Sequence, residues 1–253
     1  MRNQQLQTDY TEDMVDYWKE RSHTYSKDNR SQLENEKKTV WENLILSNTT
    51  QEKQLNILDV GTGPGFFAVL LAQKGHHVTA VDVSADMLER AKENLNYYQV
   101  HADLRLLDGN DLPFSDDTFD LVISRDVTWT LQQPEETLLE WKRVVKPGGQ
   151  ILYFDANWYY HLFDEEWMKL HLENEEIKSQ NGLPIHDKGK VMEEIARELP
   201  MSKRLRPTWD LEELPQLGFR NVKALKNLNS VIYTEEEQLK YRSKPEFLVI
   251  AEK

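Results

Sequence analysis

The stretch Ile57-Leu-Asp-Val-Gly-Thr-Gly-Pro-Gly-Phe66 decides the architecture. Leu55–Val60 is a short apolar run ending in glycine, the mark of a buried strand. Phe66–Lys74 follows as a helix, stopped by Gly75 at its C-terminal cap. Glycines at such a turn let the backbone bend tightly and let a ligand approach with no Cβ in the way. Working outward, His77–Val81 reads as a second strand. Ser84 is an N-cap for a helix with Met87, Leu88, Ala91 and Leu95 on one face. Leu104–Leu107 and Phe119–Ser124 are the third and fourth strands. Pro134–Val145 is a helix closed by the turn Lys146-Pro-Gly-Gly149, and Gln150–Phe154 is the fifth strand. Five strands with helical connections predict a parallel, doubly wound α/β sheet.

The flanks differ in character. Residues 1–54 are polar, with scattered aromatics, and read as a helical cap lying over the domain rather than within its core. Val40, Trp41, Leu44 and Ile45 fall at helical spacing along one packed face. After Asp155 the alternation breaks. Residues 156–206 are charged and rich in aromatics, with Phe163, Trp167 and Leu170 at helical spacing. The segment is too long for an ordinary connection and reads as an inserted helical lid. In residues 207–253, Asp210 with Glu213 marks a helix start. Gly218, a strand near Asn221–Leu225 and a last strand at Glu246–Ala251 follow.

Composition narrows the function. The chain has 253 residues, 39% of them hydrophobic, and a formal charge of -13. Phosphate-reading proteins need a basic surface, so nucleic-acid partners are disfavoured. No apolar run approaches membrane-spanning length. The start, Met1-Arg-Asn-Gln-Gln-Leu-Gln, has no signal-peptide core, so a cytoplasmic location is expected. With no cysteine there are no disulfides or thiolate metal sites, and no metal is expected.

Two ligand families use a glycine turn of this kind, dinucleotides and S-adenosylmethionine. The dinucleotide fingerprint places its third glycine three residues after the second. Here that position is Phe66, and the third glycine, Gly65, comes two after Gly63. No basic side chain lies in Asp59–Phe67 to favour a pyrophosphate. Asp59, at the strand end, instead suits a cationic group such as an amino-acid ammonium. Asp82 ends the second strand, where a carboxylate can accept both ribose hydroxyls; it could also simply cap the next helix. Asp108 follows the third strand and can accept an adenine amine, or merely form a turn. Three acids ending three successive strands lie at the edge where open α/β sheets bind ligands.

Asp59-x-Gly-x-Gly-x-Gly65, Val81-Asp82, the segment from Asp108 through Leu112-Pro-Phe114 to Phe119-Asp120, and Arg143-Val-Val-Lys-Pro-Gly-Gly149 resemble the successive motifs of class I S-adenosylmethionine-dependent methyltransferases. The likeness covers about residues 55–155 and is closest to the small-molecule subgroup. It implies a Rossmann-like, doubly wound seven-stranded sheet, mostly parallel with an antiparallel last strand, plus a helical lid. It implies that residues 55–155 hold S-adenosyl-L-methionine and release S-adenosyl-L-homocysteine. Gly61, Thr62, Gly63 and Gly65 would lie against the methionine part, with Asp59 near its ammonium. Asp82 would bind the ribose, Val83 and Met87 would flank the adenine, and Asp108, Gly109 and Asn110 would read its edge. Arg125 would present a backbone carbonyl to the methionine amino group. The segment Tyr17-Trp18-Lys-Glu-Arg21-x-x-x-Tyr25 resembles an aromatic helix that closes over the cofactor, though plain packing would explain it equally.

Methyl transfer from a sulfonium is a direct displacement, so the protein must chiefly align the reacting atoms. A base is useful only when the acceptor arrives protonated. Acceptor-side candidates follow the fourth and fifth strands: Asp126, Trp129, Asn157, Trp158, Tyr159, Tyr160 and His161. Asp126 and His161 are the candidate bases, although each has a structural alternative, and the aromatics could equally form the lid core. Ser124-Arg-Asp-Val-Thr-Trp129 lacks the Pro-Pro-aromatic stretch of many nucleic-acid methylases. Together with the acidic charge this favours a small molecule or a protein side chain, of which a small-molecule acceptor is the expectation; its identity and the oligomeric state are not encoded. The alternative function is a non-catalytic protein that binds S-adenosylmethionine as a sensor or scaffold.

Overall fold

The computed structural model describes residues 2–49, 54–183 and 189–253, without the side chains of 2–13, 15, 189 and 190. Residues 1, 50–53 and 184–188, parts of the expected cap and lid, lie outside the described residues. The elements in chain order are α1 (Arg2–Leu33), α2 (Lys37–Leu46), β1 (Asn56–Val60), α3 (Phe66–Gln73), β2 (His77–Asp82), α4 (Ala85–Tyr97), β3 (Asp103–Leu106), β4 (Phe119–Arg125), α5 (Pro134–Val144) and β5 (Val145–Ala156). There follow α6 (Glu165–Gln180), α7 (Gly189–Glu198), α8 (Thr208–Gln216), β6 (Arg220–Lys226), α9 (Asn229–Ile232), α10 (Glu235–Lys240) and β7 (Glu246–Glu252).

The strands form one sheet in the order β3-β2-β1-β4-β5-β7-β6. β1 pairs in parallel with β2 and β4, and β4 with β5, whereas β7 is antiparallel to both its neighbours. The expected mostly parallel, Rossmann-like sheet with a reversed last strand is the observed one. Apolar side chains cover both faces. Phe66, Phe67, Leu70 and Leu71 of α3 pack with Trp41 and Ile45 of α2 on one face. Leu138 and Trp141 of α5 pack with Leu214 of α8 on the other. A satellite cluster joins Trp129 to Met192, Ile195, Ala196 and Leu199, all but the first from α7 and the turn after it. Among the described residues, no helix is long and apolar enough to cross a membrane.

Three expectations change. The N-terminal segment does more than cover the domain. Trp41 is wholly buried, with edge contacts to Phe66, Phe67 and Phe154 at ring separations of 4.9–5.9 Å. Lys146-Pro-Gly-Gly149 does not stand apart as a turn, because β5 begins at Val145 and takes up the change through a register shift against β4. Asp210 does not open its helix. α8 starts at Thr208, and the Asp210 carboxylate is wholly buried on Arg206 and Tyr153 instead.

Candidate functional site

The site begins with the crossing of β1 into α3. Gly61, Gly63 and Gly65 all take positive φ, 66°, 53° and 84°. At Gly61 a Cβ would stand 2.3 Å from Val127 Cγ2, so the turn can lie against the β4 loop only without a side chain. At Gly65 a Cβ would meet Ala91 Cβ at 3.1 Å and Ala91 Cα at 3.2 Å. Gly65 is therefore the residue that lets α3 approach α4 closely, while Phe66 is turned into the core.

Two acids hold this turn. Thr62 Oγ1 donates to Asp59 Oδ2 at 2.6 Å. The Gly63 N–H donates to Asp82 Oδ2 at 2.8 Å, and the Ser84 N–H to Asp82 Oδ1 at 2.9 Å. Ser84 in turn caps α4, accepting from the Met87 N–H. Burial pushes Asp59 up to about 7, with Asp82 nearby adding to the effect and Thr62 opposing it. Burial raises Asp82 too, against the backbone donors that favour its charge. Two buried carboxylates side by side make an environment that a cationic ligand would relieve.

A cavity of about 700 Å³ opens at this edge, at the switch point between the paired strands β1 and β4, where the strand order reverses. The turn supplies Asp59, Gly61, Thr62 and Gly63 to its wall; the next loop supplies Asp82, Val83 and Met87. The β3 loop adds Asp108, Gly109 and Asn110, and the end of β4 adds Arg125 and Asp126. Here Trp141 Nε1 donates to the Gly109 carbonyl at 3.1 Å, and Asp108 Oδ1 accepts from the Asn110 N–H at 3.0 Å. These fix a loop too polar to be held by packing alone. α1 closes the far side with Met14, Trp18, Tyr25 and Asn29. It is fastened through Asn94 of α4, whose Nδ2 donates to Ser26 Oγ at 3.2 Å and to the Pro64 carbonyl at 2.7 Å.

Other sequence candidates lie apart from this wall. Gly65 is beneath it. Tyr17 and Arg21 sit on α1 away from the cavity, Arg21 Nη1 donating to Tyr17 Oη at 3.0 Å, and Tyr17 packs on the satellite cluster. Trp129, Trp158 and Tyr159 pack in or against that cluster as well. Tyr160 lies edge-on to Trp167. Asn157 is engaged by the Arg206 backbone through both amide atoms. His161 is stacked on His171 at 3.9 Å and held down at about 3 by burial and by His171. Of the two candidate bases, the structure brings Asp126 to the cavity and leaves His161 outside it.

Several residues of the site were not singled out from sequence: Asn29, Val127, Leu131, Gln133 and Trp141 line the wall. Behind it, Arg206 makes a buried pair with Asp210, Nε to Oδ2 at 2.6 Å and Nη2 to Oδ1 at 2.7 Å. Tyr153 Oη donates to the same Asp210. Asp155 accepts from the Trp129 N–H at 2.7 Å and from Trp158 Nε1 at 2.9 Å. This network ties the segment after α7 to the ends of β4 and β5. An unbroken apolar strand followed by Asp155 was the only sequence trace of it.

An open sheet in this strand order, with acids near three strand ends and a glycine turn after the first, is a Rossmann-like fold. Residues 58–153 match the family model described as methyltransferase domain, and this match supports a class I S-adenosylmethionine-dependent methyltransferase domain in that stretch. It is 37% identical over 111 residues to a malonyl-[acyl-carrier protein] O-methyltransferase of Erwinia billingiae, covering 43% of this chain and 42% of that one. It is 40% identical over 100 residues to a demethylmenaquinone methyltransferase of Clavibacter sepedonicus, covering 38% and 39%. The chain thus spans about two-fifths of the length of these curated relatives. Among solved structures, the fold resembles phosphoethanolamine N-methyltransferase 2 of Haemonchus contortus in complex with S-adenosyl-L-methionine. There the TM-score is 0.56 at 16% identity, over 85% of this chain and 52% of that one.

Proposed function

We propose that this protein is an S-adenosylmethionine-dependent methyltransferase acting by direct displacement on a small-molecule acceptor in the cytoplasm. The observation that carries the proposal is the convergence of Asp59, Asp82 and Asp108 on one cavity, around a turn that excludes side chains. The acids fit a ligand with one cationic end and hydroxyls along its length. Asp59 would face the methionine ammonium. Asp82 would receive the ribose hydroxyls with the lone pairs that Gly63 and Ser84 leave free. Asp108, Gly109 and Asn110 would meet the adenine edge, with Val83 and Met87 against its faces. The cofactor supplies an activated methyl group, so the protein's task is alignment and exclusion of water. Trp18 and Tyr25 on α1 are placed to cover the site, and Arg125 and Asp126 bound its acceptor end. The formal charge of -13 favours a small molecule over nucleic acid.

Calorimetry with S-adenosylhomocysteine tests the cofactor site. Asp82→Ala is expected to weaken binding by about 1–3 kcal/mol, through loss of charge-assisted bonds. Unchanged affinity in a folded variant refutes the assignment. Tight cofactor binding with no transfer of labelled methyl to any metabolite would point instead to a sensor or scaffold.

A further inference from the structure

Two carboxyl groups distant in sequence flank the end of β5. Asp126 follows β4 with a left-handed φ of 58°, and its N–H donates to the Phe154 carbonyl at 2.9 Å. Glu246 opens β7 on the other side of β5, opposite Ala156. Asp126 lines the cavity; Glu246, 1% exposed, lies off its wall. Tyr233 Oη donates to one Glu246 oxygen at 2.5 Å. Among the described residues, Asp126 Oδ1 and Glu246 Oε2 are both buried with no hydrogen-bond partner. Buried carboxylate oxygens left in this way are costly.

The charges around the pair do not balance. Arg125 is the cation that acts on both carboxyls, its Nε 3.4 Å from Asp126 Oδ2 and its guanidinium 4.3 Å from the Trp41 ring centre. The remaining titratable groups facing them are Tyr25 of α1, Tyr233 after α9 and Asp155 of β5. None of these carries positive charge. One guanidinium can offset one carboxylate, and the second is uncompensated if it ionises. Burial raises both carboxyls above their ordinary range, and Asp126 adds to the rise at Glu246. A second cation at the cavity wall would complete the balance. The cofactor does not fill this role, because its ammonium faces Asp59 in the proposed pose and its sulfonium loses its charge on transfer; a neutral hydroxyl would leave the pair unbalanced, and an anionic acceptor would be repelled.

We propose that Asp126 is the proton acceptor for the methyl acceptor, that Glu246 is the positioning residue that tunes it, and that the acceptor is a primary or secondary amine. This rests on the methyltransferase function above. The ammonium gives one proton to the Asp126 carboxylate. The freed nitrogen lone pair forms the new N–C bond as the methyl–sulfur bond breaks, and that electron pair stays on sulfur. The product is an N-methylammonium and a neutral thioether. Trp18 and Tyr25, which line the same cavity from α1, bring aromatic rings that suit a cation.

The test uses the full chain, methyl-labelled S-adenosylmethionine and small-molecule extracts of yeast and bacterial cells. One aliquot is left untreated, one has its amines acylated, and one has its carboxylates esterified. Label should appear in the untreated and esterified aliquots and vanish in the acylated one. Undiminished label after acylation overturns the amine assignment alone. No label in any aliquot, with cofactor bound, overturns the methyltransferase function and this inference with it. Asp126→Asn should lower kcat/KM by on the order of 10²–10⁴-fold with S-adenosylhomocysteine affinity preserved. Glu246→Gln should move the acidic limb of the kcat/KM profile to lower pH, because a like charge is removed. A fixed limb refutes the tuning role. Carboxyl ¹³C NMR of the unsubstituted protein asks the same without activity: Asp126 and Glu246 should titrate in two steps above the ordinary carboxylate range. Ordinary titration of both overturns the proposal.

Discussion

Replacing Gly65 with alanine separates two costs that the turn combines. At φ 84° an L-residue carries a left-handed backbone, which costs about 1–2 kcal/mol. The new Cβ would also press on Ala91 Cβ at 3.1 Å and its Cα at 3.2 Å. The second of these is backbone of α4, which Asn94 clasps to α1 and to the turn, so it cannot swing aside as a side chain would. Overpacking of that kind adds about 1–3 kcal/mol, for a total of about 2–5 kcal/mol. Gly75 provides the control. Its φ is 85°, and a Cβ there would meet nothing within 4 Å. Gly75→Ala should therefore cost only the backbone component, about 1–2 kcal/mol. Urea unfolding of the two variants, compared at equal slope, measures the difference directly. If Gly65→Ala is no more damaging than Gly75→Ala, the contact between α3 and α4 does not constrain the turn, and the structural account of Gly65 fails.

Three further outcomes are expected. Burial lifts Asp59 from its usual 3.8 to about 7; an acid raised on folding stabilises the native protein below the unfolded value and loses that stability as pH rises through the folded one. Asp59→Asn should thus flatten the fall of Tm between pH 3.8 and about 7, and an unchanged slope would contradict the buried environment. Arg206→Met strands Asp210 and Asp155 without their cation and should cost about 3–5 kcal/mol, much of it recovered in the double variant Arg206→Met/Asp210→Leu; a cost under about 1 kcal/mol, the worth of an exposed pair, would sink the network's role. His161→Phe, with the ring already stacked away from the cavity, should leave kcat unchanged, whereas a drop on the order of 100-fold, the scale of general-base loss, would return His161 to the chemistry.

The sheet was readable because its signals are local. Each buried strand is an apolar run bounded by a glycine or an acid, and each intervening helix repeats its apolar residues within one turn. The acids at the ends of β1, β2 and β3 were readable for the same reason: a strand end is a position in sequence as well as in space. Misreadings came where a local pattern had a distant explanation. Asp210 and Glu213 have the spacing of a helix start, yet the partners of Asp210 are Arg206 and Tyr153. The packed face of Trp41 was legible from its helical spacing, but its partners were not, because Phe66 and Phe67 arrive from α3 and Phe154 from β5. The neighbours of Asp126 were hidden in the same way, because only the topology brings Glu246 and Tyr233 towards it. Aromatic residues 158–160 are equally suited to a pocket and to a core, and composition cannot choose between them.

A strand that runs against its neighbours starts where they finish. β7 therefore contributes its first residue, Glu246, to the same rim to which β1, β2 and β4 contribute their last. The rim thus draws on two independent sources of chain: loops and inserted helices, and the fixed opening of a strand held between two neighbours. If the proposed chemistry holds, the size and shape of the acceptor can drift with the residues 156–206 while proton handling stays anchored in the sheet. Such a division would let relatives with one arrangement at β7 share a reacting atom while accepting unlike skeletons.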